Sequence, residues 1–360
     1  MGEAENAIPR LVRCDGIADA CAHAGAPVPY GARPMNPSES SPQPDPAALD
    51  RAVDAVARRC LAVRPGEELL VIGDDGTAEL ARRLRDAAAA AGAEAVLALM
   101  SPRETHGSNP PPSVAQALAA CSAFVAATTY SLSHTPARKL ATERGARGAS
   151  MPGITAATLA RVLGGADLDA VARRSRAVGE RLEAASEARI TCPLGSDLTL
   201  DLRGAPGIPD DGDLSQPGAF GNLPFGEAYC VPRGGEGRLV ASSLASVGIP
   251  DAPVALEVRD GALHDGEGDV GRAFAERLRA VDARATNVAE LGVGTNDAAT
   301  LTGSILEDEK MLGSVHVAFG ASAAIGGTVD VPVHLDVVVL DASLELDGEL
   351  LLDRGRLLVD

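Results

Sequence analysis

The sequence predicts an α/β domain built on a doubly wound parallel sheet, followed by an α+β domain that is largely antiparallel and β-rich. Helix and strand patterns alternate from Pro46 to about residue 185, and short β-rich runs separated by glycines follow from 186 to 360. Residues 1–45 are rich in proline and have no sustained periodicity, which predicts a disordered tail in which Met35 could be the natural start. We therefore expect a tail at 1–45, a Rossmann-like domain at 46–185 and a second domain at 186–360.

The first domain alternates helix and strand in order along the chain. Its predicted helices cover residues 47–63, 77–91 and 113–121, and its predicted strands cover 67–73, 95–100 and 123–128. This β-α-β order is typical of a parallel sheet. Dinucleotide binding is not indicated, because Gly73-Asp74-Asp75-Gly76 stands where G-x-G-x-x-G would follow the first strand.

The second domain has shorter strands and hairpin turns. Strands are predicted at 189–193, 197–202, 238–242, 254–259, 315–320 and 333–340, with one helix at about 271–281. The dipeptides Asp260-Gly261 and Asp347-Gly348 are typical of tight hairpin turns.

Composition excludes several functional classes. The chain has 50 acidic against 32 basic residues and a net charge of −18, so it lacks the basic surface that nucleic acids require. No run approaches 18 apolar residues and no signal peptide is recognisable, so we expect a soluble cytoplasmic protein without a membrane segment. The six cysteines lack C-x-x-C spacing, which favours free thiols.

Five polar residues in or beside apolar runs are candidate metal ligands: Glu227, Glu290, His316, His334 and Asp336. Each also has an ordinary interpretation. Glu227 could be a solvated loop acid and His316 a core histidine, while His334 and Asp336, two residues apart on one strand face, could simply bond each other. Glu290 would be costly to bury unpaired. Together, the carboxylates and imidazoles suit a pair of divalent ions that share a bridging carboxylate and activate water.

These motifs carry a family resemblance. The segments N-L-P-F-G-E at 222–227, A-E-L-G-V-G-T-N at 289–296, L-E-D-E-K-M-L-G-S-V-H-V-A-F-G at 306–320 and H-L-D at 334–336 resemble the M29 metallo-aminopeptidases, in particular their shorter leucyl aminopeptidase-like members. S-L-S-H-T at 131–135 and G-A-R-G-A-S-M-P-G at 145–153 extend the resemblance into the first domain.

The resemblance implies a homodimeric hydrolase with two Zn, Co or Mn ions, acting on N-terminal residues of peptides or on small amides. It implies that the five residues named above are the metal ligands and that Glu290 bridges the ions. The M29 enzymes also carry a tyrosine after the position of His316, whereas this chain has Gly320-Ala321-Ser322-Ala323-Ala324 there. The missing tyrosine therefore weakens the prediction of peptide hydrolysis more than the prediction of metal binding.

The chain also resembles the 2,5-dihydroxypyridine dioxygenases, which use a single non-haem Fe(II). His316, His334 and Asp336 could form a two-histidine, one-carboxylate triad for such an ion. In that family a histidine stands at the position of Glu290 and the position of His316 is not histidine, so the donor pattern here favours hydrolysis. A metal-binding relative without catalysis is the third alternative.

Two further residues are candidates for proton transfer. His134 in S-L-S-H-T could act as an acid or base, since the dioxygenases use a histidine near this position, or it could be a structural imidazole bonded to Ser131 or Thr135. Glu309 is the other candidate base, although pairing with Lys310 in a charged turn is the favoured interpretation.

Overall fold

The structure is a computed structural model that describes residues 44–359. Nearly all of the predicted tail at 1–45, with Met35, Cys14 and Cys21, lies outside the described residues. The eight α-helices in the described residues are α1 (Pro46–Ala55), α2 (Ala78–Ala90), α3 (Pro112–Ala120), α4 (Pro136–Glu143), α5 (Ala156–Val162), α6 (Leu168–Ala184), α7 (Gly268–Val281) and α8 (Ile305–Asp308). A π-helical turn, Val56–Cys60, extends α1, and 3-10 turns occur at Ala283–Thr286 and Ala323–Ile325.

The described residues also contain nineteen strands. They are β1 (Glu68–Asp74), β2 (Glu94–Met100), β3 (Ala123–Ala127), β4 (Arg147–Ser150), β5 (Glu187–Thr191), β6 (Asp197–Asp201), β7 (Ile208–Asp210), β8 (Phe220–Asn222), β9 (Glu227–Cys230), β10 (Gly234–Ala241), β11 (Ser243–Leu244), β12 (Val254–Arg259), β13 (Ala262–Gly266), β14 (Val288–Gly294), β15 (Val315–Gly320), β16 (His334–Val339), β17 (Ser343–Leu346), β18 (Glu349–Asp353) and β19 (Arg356–Leu357).

The first sheet is parallel and has the order β2-β1-β3-β4-β8. The interior strand β1, between β2 and β3, is buried on both faces. Leu69 and Val71 pack into one hydrophobic cluster, while Leu70 and Ile72 pack into another on the opposite face. Helices α1, α2 and α5 contribute to the first cluster, and α3 and α4 contribute to the second. This doubly wound arrangement confirms the predicted α/β class.

Two antiparallel sheets form the rest of the described chain. One has eight strands in the order β13-β12-β10-β6-β5-β17-β18-β19, and the other has six in the order β11-β16-β15-β14-β9-β7. A single hydrophobic cluster contains residues from both sheets, so they share one core. The predicted β-rich, largely antiparallel class is confirmed.

Hairpins form at both predicted D-G turns. Asp260 and Gly261 join β12 to β13, and Asp347 and Gly348 join β17 to β18. All four residues have positive φ, from 50° to 85°, as the tight turn requires.

The parallel and antiparallel parts are connected through β8. This strand is the fifth of the parallel sheet, yet it lies at 220–222, well after the predicted domain boundary at 185. Shortly afterwards β9 begins at Glu227, in the six-stranded sheet. The described residues belong to one unit, and the division at 185 stays a prediction.

No helix among the described residues has both the length and the apolar composition needed to cross a membrane. Cys60, Cys121, Cys192 and Cys230 are free thiols, as predicted. The cytoplasmic location and the homodimer stay predictions.

Candidate metal centre

Side chains on the inner strands of the six-stranded sheet alternate between its two faces. Along β15, Val315, Val317 and Phe319 enter the hydrophobic core, so His316 and Ala318 point to the other face. The same alternation holds along β16 and, from Glu290 onwards, along β14. The opposite face therefore carries Glu290, Gly292, Gly294, His316, Ala318, His334, Asp336 and Val338.

A bulge in β14 fixes the row in which Glu290 lies. The register between β14 and β15 shifts between Val288 and Glu290, so Glu290 pairs with Ala318. Ala318 pairs on its other side with Asp336 of β16. Glu290 and Asp336 thus stand in one row across the sheet, separated by the small alanine side chain.

Gly292 provides the space for the imidazole of His316, its partner across the β14–β15 pair. A Cβ atom at Gly292 would lie 2.0 Å from His316 Nε2 and 2.2 Å from its Cε1. The glycine in A-E-L-G-V-G is therefore part of the site, because any side chain there would displace the ring.

The five predicted ligands converge into two donor groups that share Glu290. Glu227, Glu290 and His316 form the inner group, and Glu290, His334 and Asp336 form the outer group, with the donor atoms of each group within 4.8 Å of one another. Glu290 Oε1 lies 3.2 Å from His316 Nε2, and Glu290 Oε2 lies 3.4 Å from His334 Nε2. The two carboxylate oxygens of Glu290 therefore face different groups.

The remaining distances are also short. His316 Nε2 lies 3.2 Å from Glu227 Oε2, and His334 Nε2 lies 3.4 Å from Asp336 Oδ1. His334 Nδ1 donates a hydrogen bond to the carbonyl oxygen of Ala321 at 2.7 Å, which turns the lone pair of Nε2 towards the carboxylates. The side chain of His316 is fully buried, whereas that of His334 is 20% exposed, so the centre opens on the His334 side.

Burial and the neighbouring charges shift the pKa values of these groups in opposite directions. Burial alone would lower the pKa values of His316 and His334, but the adjacent carboxylates raise them well above the usual range. Burial would likewise raise the pKa of Glu290, yet His316 and His334 lower it below its usual value. Without an ion, protons on the imidazoles thus offset the buried negative charge.

One buried atom indicates that the donor set fits a cation. Within the described residues, Glu227 Oε2 is buried, faces His316 Nε2 and makes no hydrogen bond. An unpaired buried carboxylate oxygen costs several kcal/mol, and a divalent ion between Glu227 and His316 would remove that cost. Imidazole and carboxylate donors suit zinc, cobalt, manganese or iron.

His134 lies in the loop before α4, close enough to His334 for the charge of that residue to act on it. Burial, then the charge of His334, lowers its pKa to about 4. Within residues 44–359 its ring makes no hydrogen bond, and the predicted structural partners bond elsewhere: Thr135 donates to the carbonyl of Leu132 and Ser131 to the hydroxyl of Ser133. The ring is therefore a neutral imidazole beside the open donor group.

The charged residues that pack around Lys310, next to the inner group, were not predicted from the sequence. Lys310, which is fully buried, donates hydrogen bonds to Glu227 and to Glu309, and Asp210 lies 3.8 Å from its Nζ. The predicted Glu309–Lys310 pair is present but buried. The rarity of lysine in the chain, two against thirty arginines, was the available signal.

Comparison with known proteins gives two kinds of relative. The profile of the NicX family, described as 2,5-dihydroxypyridine 5,6-dioxygenase, matches residues 49–359. Among solved structures, the 2,5-dihydroxypyridine dioxygenase from Pseudomonas putida KT2440 is similar with 18% identity and a TM-score of 0.73, over 87% of this chain and 97% of that one. Wild-type AmpT from Thermus thermophilus, an M29 aminopeptidase, has 19% identity and a TM-score of 0.64, over 87% and 99%. No curated protein sequence matches significantly.

Replacing Gly292 by alanine is expected to weaken metal binding at the inner group by at least about 10-fold, because the new Cβ displaces the His316 ring. Titration with Zn²⁺ followed by calorimetry measures this. Gly234→Ala is the matched control, since its Cβ would meet only Gly261 Cα at 3.9 Å. Unchanged affinity in Gly292→Ala would contradict the role given to this glycine.

Proposed function

The chain belongs to the 2,5-dihydroxypyridine 5,6-dioxygenase (NicX) family, and we propose that, within this family, it is a two-metal hydrolase of the aminopeptidase type. Its substrates would be the N-terminal residues of peptides, or small amides. The observation that carries this proposal is the position of Glu290, whose two oxygens face separate donor groups. A carboxylate so placed suits a bridge between two ions.

Buried charge also favours bound cations. The donor groups contain three acids, Glu227, Glu290 and Asp336, and Lys310 offsets part of their charge through its hydrogen bond to Glu227. Burial raises the pKa of Glu309 to about 8 and the pKa of Asp210 well above its usual value, so these two acids add little charge at pH 7. Uncompensated buried carboxylates are costly, and divalent ions at the two donor groups would remove that cost.

In this proposal the chain's own residues bind, orient and move a proton. Glu227 and His316 would hold the inner ion, His334 and Asp336 would hold the outer one, and Glu290 would contribute one oxygen to each. When bound, two divalent ions polarise a scissile carbonyl and acidify a water molecule. The hydrogen bond to Ala321 fixes the orientation of the His334 ring. Burial lowers the pKa of His134 to about 4, so the ring is neutral at pH 7 and a weak base; in this proposal it relays a proton at the open side.

The dioxygenase remains the second candidate, because the family profile covers most of the chain. Its expected triad of His316, His334 and Asp336 is divided here between two donor groups, with Glu290 between the imidazoles. A single Fe(II) would instead find one histidine and two carboxylates in the outer group. A non-catalytic metal-binding relative is the third candidate, in view of the missing tyrosine after His316.

Metal content separates these candidates. We expect two Zn²⁺, Co²⁺ or Mn²⁺ ions per chain after loading, measured by elemental analysis on protein quantified by amino-acid analysis. One oxygen-sensitive Fe(II) per chain, with oxygen uptake on 2,5-dihydroxypyridine, would instead support the dioxygenase. Absence of tightly bound metal would exclude both enzymes.

Glu290→Gln is expected to lower the turnover of an aminoacyl chromogenic substrate by at least about 100-fold, because the amide cannot offer two anionic oxygens to two ions. Thermal unfolding should remain cooperative. Glu276→Gln, on the exposed side of α7, is the matched control. Full activity in Glu290→Gln would show that the bridging assignment is wrong.

His134→Gln is expected to reduce kcat by about 10²- to 10⁴-fold, the usual contribution of a proton-transfer group. The number of bound ions should not change, because His134 belongs to neither donor group. His264→Gln, at an exposed site on β13, is the control. If kcat is unaffected while the substrate is still cleaved, another group must carry the proton.

A further inference from the structure

Lys310 occupies an unusual position for a lysine. Its side chain is fully buried, and its ammonium group lies among carboxylates from three different segments. Burial alone would lower its pKa, but Glu227, Glu309 and Asp210 together raise it well above the usual value. A charged ammonium therefore stands directly behind the inner donor group.

The two carboxylate oxygens of Glu227 have different partners. Lys310 Nζ donates to Glu227 Oε1 at 2.6 Å, while Glu227 Oε2 faces His316 Nε2 at 3.2 Å and accepts no hydrogen bond within the described residues. The lysine thus holds one oxygen and leaves the other pointing into the donor group.

The same ammonium group restrains a competing acid. Lys310 Nζ donates to Glu309 Oε1 at 2.6 Å, so Glu227 and Glu309 approach one nitrogen from two sides. With no cation between them, these two buried carboxylates would be left facing the same space without a donor, and Glu227 would no longer be held in its present orientation.

The backbone holds Lys310 in a fixed position. Its N–H donates to the carbonyl of Glu307 at 3.0 Å, and its own carbonyl accepts from the N–H of Asn296 at 2.9 Å. Asn296 Nδ2 in turn donates to the carbonyls of Val162 and Phe225. The lysine therefore projects from a rigid segment just before β15, the strand that carries His316.

We propose that Lys310 is a positioning residue for the inner metal: it presents Glu227 as a ligand through Oε2 and keeps Glu309 from pairing with it. This inference rests on the proposed two-metal function. It predicts that removal of the ammonium group affects one ion and leaves the other in place, because the hydrogen bonds of Lys310 go to Glu227 and Glu309 and not to the outer group.

The test is a Co²⁺ titration of the full chain, followed by visible absorption, which requires no turnover. Wild type should bind two ions. Lys310→Met should retain the outer ion and bind the second at least about 100-fold more weakly. The double variant Glu309→Gln/Lys310→Met should regain the second ion, because the amide introduced at position 309 is uncharged and offers Glu227 a donor in place of the ammonium group.

Lys139→Met is the matched control, since Lys139 is the only other lysine and lies at the surface near Asp330. Two tightly bound ions in Lys310→Met would overturn the proposal. If Lys310→Met does not unfold cooperatively, the double variant decides alone: two ions support the proposal and fewer contradict it. A wild-type protein that binds one ion refutes the two-metal function itself, whatever Lys310 does.

Discussion

The candidate metal centre depends on five carboxylates that lie together at one face of the six-stranded sheet, three of them around Lys310. The other face of this sheet packs into the hydrophobic core. That much negative charge is tolerable in a protein interior only if cations or protons compensate it. Each local feature of the six-stranded sheet serves this arrangement. Strand alternation separates the acids from the hydrophobic core, the bulge brings Glu290 level with Asp336, and Gly292 leaves room for an imidazole.

The sequence was sufficient for the fold class and for the identity of the converging residues. Alternation in V-H-V-A-F-G and H-L-D-V-V-V is a local property, so the face on which His316 and Asp336 lie could be predicted from the strands alone. The partners of Lys310 could not, because Asp210 and Glu227 are distant in the chain and meet it only after β7 and β9 pair. The bulge before Glu290 could not be predicted either, since the residues A-E-L give no sign of a change of register.

Fold and donor set give different information about chemistry. The described fold is similar both to a ring-cleaving dioxygenase and to an aminopeptidase, at identities below one fifth, so the scaffold does not choose between them. The choice depends on a few positions on one sheet face. A carboxylate at 290 places negative charge between two imidazoles, and this favours two divalent ions. A neutral ligand there would leave the centre with less charge to compensate. In the proposed function, a single position would thus separate two uses of one framework.

The origin of the ligands in β9, β14, β15 and β16 has a kinetic consequence. The four strands span more than a hundred residues of chain, and β9 follows directly on the last strand of the parallel sheet. No short peptide of this protein contains a complete donor group, so an unfolded chain offers metal ions at most the local pair His334 and Asp336. Loading must then follow the pairing of the sheet, which is a slow event dominated by distant contacts. A newly made chain would pass through a metal-free folded stage, and the supply of ions at that moment would decide which metal it acquires.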